Sequence, residues 1–411
     1  MSVSERLRPA WVEELNQMGL HVGGPARLVD LDVTGLLDTA RAATHLDDFG
    51  GDGFLAPLRL LVADLDAHAD LHLVGRLLVR TELLRCPVNR LRLTDLRRRH
   101  PEIDTEPIVA PVFVTGTGRS GTSILHEMLA QDPRHRAPRS WEMLYPCPLS
   151  DADDDERRRR AMGHADMVFW EQVTPEYRTM HENGGEVPQE CIFVTAHDFA
   201  SDFWGGQYWV PRYSAWLAGA DLIPAYTFHR RFLQVLQWQR PTAPWVLKAP
   251  SHLAALPALF AVYPDARVVI THRDPVKVLG SLGSLIGTLE WMRSDSVHPE
   301  RMRAVVYGFA MLLGHVTALR DSGALPADQI VDVRYCDLMD APWETMRHTY
   351  MQLGLPYTRE AEDRMRAYLA AKPKDRHGTH RYDLADIGID VTEVRELYRS
   401  YQARYDVASE T

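Results

Sequence analysis

From residue 108 onward, short runs of apolar and mostly β-branched residues punctuate the chain. They are IVAPVFVT (108–115), WVLK (245–248), ARVVITH (266–272) and IVDVRY (330–335). Each is apolar at consecutive rather than alternate positions, which predicts strands buried on both faces, as in a parallel sheet covered by helices. Helical stretches lie between them, among them SILHEMLA (123–130) and the segment 223–239. That alternation predicts an α/β fold with a parallel β-sheet flanked by helices. The first hundred residues differ in texture. LRLLVADLDAHADLHLVGRLLVRTELL (58–84) places leucine and alanine at helical spacing, predicting an α-helical N-terminal region over 1–105. HPEIDTEPIVAP (100–111), with its three prolines, marks the boundary with an α/β domain over 106–411.

Composition narrows the class. Of 411 residues, 45% are hydrophobic and 25% charged, as expected of a globular chain with a sizeable core. The net charge of −10, without a long basic run, argues against a nucleic-acid partner. Any anion site must therefore be built locally. The four cysteines, Cys86, Cys147, Cys191 and Cys336, form no CxxC pair, which points away from a zinc site or disulfide framework. No N-terminal apolar leader and no uninterrupted apolar run of membrane-spanning length occur, so the expectation is a soluble cytoplasmic enzyme. DADDDERRRR (151–160) runs from acidic to basic, the order that suits the dipole of a solvated helix.

The candidate chemistry begins at GTGRSGTS (116–123), between a predicted strand and a predicted amphipathic helix. A nucleotide-hydrolysing phosphate loop reads G-x-x-x-x-G-K-[ST]. Gly116 and Gly121 keep that spacing, but Thr122 stands at the lysine position and Arg119 supplies a cation three residues earlier. Glycines 116, 118 and 121 let the backbone turn and aim amides at an anion, which the helix N-terminus also favours. The hydroxyls of Ser120, Thr122 and Ser123 and the forked charge of Arg119 add donors. No predicted strand ends in an acidic residue suited to Mg²⁺. HRD at 272–274 is no kinase motif, because Leu279 occupies the asparagine position and no DFG follows. Arg273 instead ends a strand, with Ser281 eight residues on in the next helix. Together they suit a second anionic group, and so a ligand with two separate anionic groups.

These two segments resemble the 5′-phosphosulfate loop and the 3′-phosphate motif of PAPS-dependent sulfotransferases. The form G-x-x-R-S-G-T-[ST] is similar to the branch holding bacterial and tyrosylprotein sulfotransferases, and the resemblance covers about residues 108–382. It implies that Gly118 and Arg119 to Ser123 face the 5′-phosphosulfate, and that Arg273 and Ser281 face the 3′-phosphate. It also implies that Tyr335, in VRYCDLM, lies near the adenine. KPKDRHGTHRY (372–382) occupies the place of a basic loop over the cofactor, implicating Arg376, His377 and Gly378, with a plain surface turn as the alternative. The implied cofactor is PAPS, without a metal, since a transferring sulfuryl group carries less charge than a phosphoryl group.

A hydroxyl or amine acceptor needs a base. RSWEML offers Glu142, two residues off the catalytic glutamate of the tyrosylprotein branch, and MHENGGEVPQEC offers His181, with Glu186 and Glu190 nearby. Lys248, in WVLKAPSHL, lies at a strand end where active-site groups of open α/β sheets gather. The resemblance implies that it helps sulfuryl transfer. Four of the ten tryptophans fall between 204 and 238, as core or as the lining of an apolar acceptor pocket. The reading is a sulfotransferase acting on a small, apolar or lipid-like acceptor. Its rivals are an ATP-dependent small-molecule kinase and a non-catalytic nucleotide-binding protein.

Overall fold

Four runs of β-branched residues pair as predicted into one parallel sheet, with strand order β2–β1–β3–β4. The strands are β1 (Val112–Gly116), β2 (Val246–Lys248), β3 (Arg267–His272) and β4 (Ile330–Arg334). The computed structural model describes residues 8–296, 298–372 and 389–410. The first strand is shorter than its apolar run. Ala110 takes a left-handed φ of 42° and Pro111 has no N–H to offer a ladder, so pairing starts at Val112. In register, Val114 lies opposite Lys248 on one side, and Gly116 lies opposite Thr271 on the other.

Every residue of β1 is buried, which is why its sequence does not alternate. Val112, Val114, Val246, Val269 and Val331 pack against Leu125, Met128 and Leu129 of the helix Thr122–Leu129, and against Met346 and Tyr350 of Pro342–Gln352. Parallel neighbours need crossover connections, and helices supply them.

The chain divides into two compact units that are not consecutive in sequence. One comprises Met1–Pro107, Arg139–Pro241 and Leu285–His298; the other comprises Ile108–Pro138, Thr242–Ser284 and Pro299–Thr411. The sheet belongs entirely to the second.

The first unit is helical among its described residues. The leucine-rich run 58–84 falls into two helices, Leu55–His68 and Leu73–Arg99. They part at Asp70, whose φ is 45°, and His72 caps the second by accepting from Gly75 N at 2.9 Å. Gly75 has no substitute, because a Cβ there would stand 1.9 Å from the Arg293 carbonyl oxygen. The acidic-to-basic run begins its helix at Asp155 (Asp155–Val173). Asp155 pairs with Arg159 at 2.7 Å and Glu156 with Arg160 at 2.8 Å, one turn on in each case. In the second unit, Glu300–Asp321 is long and apolar enough to cross a membrane by length and composition, with a mean hydropathy of 1.4.

On the sheet's β4 edge, Asp332 accepts from His272 Nε2 at 2.9 Å and from both terminal nitrogens of Arg320 at 2.7 Å. Burial alone would raise its carboxyl, but the hydrogen bonds from His272 and Arg320 outweigh burial and hold it at about 2. A depressed carboxyl contributes stability above its unfolded value of about 3.9 and loses it as pH falls through the folded value. The Asp332 side chain is 36% exposed, so solvent screening limits the loss in Asp332→Asn to about 1 kcal/mol, or about 1 °C in Tm for a chain of this length. Melts against pH should show that difference in full above about pH 4 and vanishing towards about pH 2. A difference unchanged down to that pH would remove the charge from the explanation.

Candidate active site

β1 ends at Gly116 and the helix Thr122–Leu129 begins six residues later, so the loop between them must turn tightly. Gly116, Arg119 and Gly121 all take positive φ, at 146°, 69° and 97°. A Cβ on Gly121 would stand 2.7 Å from Cδ2 of Tyr335, and one on Gly116 would stand 2.6 Å from the Thr271 carbonyl oxygen. Arg119 holds its left-handed conformation without glycine's freedom, a strained arrangement typical of functional loops. The first amides of the following helix have no intrahelical partner by geometry, and its dipole places positive potential at the loop.

Ser120 faces inward. Its hydroxyl donates to Thr117 O at 2.6 Å and lies 2.7 Å from the Thr271 hydroxyl, and its N–H bonds Thr117 O at 3.2 Å. It braces the loop against β3. Ser123 and Arg119 point to other neighbours. Lys248, at the end of β2, donates from Nζ to the Ser123 hydroxyl at 3.2 Å. Arg119 Nε donates to the Ser281 hydroxyl at 2.8 Å, and Arg119 O accepts from Arg273 Nη1 at 3.1 Å. The Arg273 guanidinium lies 3.9 Å above the Tyr335 ring. Thus Arg119, Ser123, Lys248, Arg273, Ser281 and Tyr335, which span more than two hundred residues, form one connected cluster within the second unit.

Two participants left no signal in the sequence reading. Thr271 bonds the loop through Ser120 and Thr115 O. Glu410 grips Arg273 with both oxygens, at 2.9 Å from Nε and 2.9 Å from Nη2. A carboxylate on that fork has the geometry that paired phosphate or sulfate oxygens would adopt. Arg376, His377 and Gly378 lie outside the described residues.

The candidate bases belong to the first unit, where their two segments fold against each other. Ser140 N bonds Val187 O at 3.0 Å and Trp141 N bonds Gly185 O at 3.1 Å, beside an antiparallel bridge between Arg139 and Pro188. Glu142, in the short helix Ser140–Leu144, is buried and accepts from Arg139 N at 2.9 Å as part of a capping box. His181 Nδ1 donates to Glu182 O at 2.9 Å. A carbonyl only accepts, so Nδ1 carries a proton. Glu190 Oε1 lies 4.0 Å from Nε2. Glu186 is held by Arg139 at 3.1 Å and Arg160 at 2.6 Å.

Comparison with known proteins bears directly on this arrangement. The sulfotransferase family model matches residues 111–359, well over half of the chain. The chain belongs to the sulfotransferase family.

The match takes in the loop, Lys248, Arg273, Ser281 and Tyr335. Among solved structures, sulfotransferase STF1 from Mycobacterium tuberculosis H37Rv is similar at 31% identity, with a TM-score of 0.79 over 90% of this chain and 99% of that one. STF9 from Mycobacterium avium is similar at 28% identity, with a TM-score of 0.78 over 93% and 99%. The omega-hydroxy-beta-dihydromenaquinone-9 sulfotransferase Stf3 of Mycobacterium bovis is 26% identical over 290 residues, covering 64% of this chain and 68% of its own.

The tryptophan-rich segment of this sulfotransferase divides between roles. Trp204 is fully buried, stacked 5.7 Å from Phe199 and edge-on to Phe203; it is core. Trp209 stacks on His298 at 5.5 Å. Trp216 helps line a cavity of about 470 Å³. There Arg90 lies over Phe54 and Phe228 and pairs with Asp198 at 2.7 Å.

The loop geometry predicts a contrast between two glycines. Gly121→Ala meets both a forbidden φ and the Tyr335 ring, and should cost about 1–3 kcal/mol. Gly308→Ala, in the helix Pro299–Asp321 with nothing within 4 Å of its Cβ, should be neutral or stabilise by up to about 1 kcal/mol. Denaturant titration of both variants checks this; equal effects would mean the loop relaxes freely.

Proposed function

We propose that this sulfotransferase takes its sulfuryl group from PAPS and passes it to the hydroxyl of an apolar, lipid-like acceptor. The hydrogen bond from Arg119 to Ser281 carries the cofactor reading. It ties a loop suited to one anion to a motif suited to another, and Arg273 completes the link through the Arg119 carbonyl. Two linked anion sites match a nucleotide bearing both a 5′-phosphosulfate and a 3′-phosphate. The residues fit such a group in charge: Arg119 lies in the loop, and Arg273 and Lys248 bond it at the Arg119 carbonyl and the Ser123 hydroxyl. Gly118, Arg119 and Gly121 to Ser123 would hold the 5′ end with Ser120 bracing them, Arg273 and Ser281 would hold the 3′-phosphate, and Tyr335 would lie near the adenine. The acceptor class is supported by Stf3, whose name specifies a hydroxylated menaquinone derivative.

PAPS, when bound, supplies an activated sulfuryl group whose departure leaves charge on a phosphate oxygen. Arg119, Lys248 and the helix-terminal amides supply fixed positive potential for that charge, with no reorganisation at the moment of reaction. The acceptor hydroxyl must lose its proton as its oxygen bonds sulfur. His181 is the better placed of the two bases. Its Nδ1–H is anchored on Glu182 O, which leaves Nε2 to take the acceptor's proton, and Glu190, 4.0 Å from Nε2, would stabilise the imidazolium. Glu142 has one oxygen committed to its helix cap.

PAP should raise the melting temperature much more than ATP with Mg²⁺ does. A ligand specific to the folded state contributes about 2.7 kcal/mol at a hundredfold over its Kd. Arg273→Ala should remove most of that shift. Equal shifts from ATP and PAP would favour the kinase reading.

His181→Ala should lower turnover at least about a hundredfold while keeping the PAP shift, with Glu142→Gln affected far less. If the losses fall the other way round, Glu142 is the base. Turnover of any acceptor by the wild type excludes a merely nucleotide-binding protein.

A further inference from the structure

Within the first unit, the helices Ala10–His21, Leu73–Arg99 and Asp155–Val173 enclose a cavity of about 430 Å³. Trp11, Leu77 and Phe169 line it while exposed by 38, 45 and 37%, and so mark its mouth. The Trp11 and Phe169 rings lie 6.1 Å apart. Large apolar side chains left open around a concave apolar surface indicate a binding surface rather than chance exposure.

The polar groups in the lining strengthen that reading, because each is already engaged. Thr81 Oγ1 donates to Leu77 O at 2.9 Å, and Arg85 pairs with Asp166 at 2.9 Å. Asp166 also accepts from Tyr145 Oη at 2.7 Å. Glu82 accepts from Tyr208 Oη at 2.5 Å and faces Arg293 at 3.5 Å. A polar ligand would have to break one of these contacts to be held, whereas an apolar one gains by leaving water.

Two lining residues connect the cavity to the candidate bases. Leu144 belongs to the same short helix as Glu142, and Phe193 follows Glu190 by three residues in the helix Ile192–Thr195. We infer that this cavity receives the hydrocarbon chain of the acceptor, so the N-terminal helices set which acceptor chains the enzyme accepts. The inference rests on the proposed lipid-like acceptor and adds its seat and its size limit. A cavity of about 150 Å³ holds one benzene, so this one holds on the order of three isoprenoid units. Beyond them, Trp11, Leu15 and Met18 recur at i, i+4 and i+7 along one face of the first helix, with Met18 exposed. A longer chain meets only that exposed stripe and gains little from it.

The test uses full-length protein, PAPS, a simple phenol, and isoprenoid alcohols of 10, 15 and 20 carbons. KM should fall at least about tenfold from 10 to 15 carbons and level off at 20, given roughly fourfold per buried methylene as an upper bound. Leu77→Asp and Thr81→Trp alter exposed positions at the mouth, so folding is not at stake. Each should raise KM for the 15-carbon alcohol at least about tenfold, with phenol turnover and the PAP melting shift unchanged. A second readout needs no catalysis: the 15-carbon alcohol should displace anilinonaphthalene sulfonate from the wild type and fail to do so from Thr81→Trp. Equal effects on phenol and long alcohol, no chain-length dependence, or displacement that survives in Thr81→Trp would overturn the inference. Failure of PAP to bind would instead sink the cofactor reading and leave the displacement result to judge the cavity.

Discussion

The candidate-site cluster depends on one constraint: all four strands run parallel, and their C-terminal ends come out together. Gly116 opposite Thr271 and Val114 opposite Lys248 fix that alignment. The loop follows β1, Lys248 ends β2, Arg273 follows β3 and Tyr335 follows β4. Each strand therefore delivers one chemical group to the same edge, where open α/β sheets gather their ligand-binding residues. A slip of one residue in β3 would turn the Thr271 hydroxyl away from Ser120 and carry Arg273 off the loop. The valine core beneath opposes such a slip, since Val269 would turn out of it to the other face of the sheet.

That arrangement explains why much of the second unit was legible beforehand. Strands buried on both faces leave continuous apolar runs, and Lys248, Arg273 and Tyr335 sit at or within one residue of the ends of such runs. The glycine spacing around Arg119 and the Arg273–Ser281 interval are local patterns and could be read as such. Thr271 was hidden because it looks like one more β-branched strand residue; only pairing gives its hydroxyl a partner. Glu410 was hidden because nothing in a terminal acidic residue says which arginine it will meet. Ser120 was expected to face the anion, yet its side chain and N–H brace the loop.

The first unit was less readable, and for a different reason. Its elements are helices whose partners come from remote segments, and helical spacing says which face is apolar but not what covers it. The tryptophan-rich stretch illustrates this, since core, ring stacking and cavity lining all ask for the same residue type. Likewise, Glu142 and His181 looked like competing candidates in separate places. Backbone hydrogen bonds join their segments, a relation no side-chain pattern announces.

The interleaving of the two units has a consequence for how the chain is made. The N-terminal 107 residues leave the ribosome first, yet their unit is complete only when Leu285–His298 has been synthesised. That gap of roughly 190 residues corresponds to about 10–40 s of elongation at 5–20 residues per second. During this interval the packing around the leucine-rich helices is incomplete. β1, the first-made central strand, waits similarly for β2 and β3, more than a hundred residues downstream. Contacts so distant along the chain make folding slow and leave intermediates open to association.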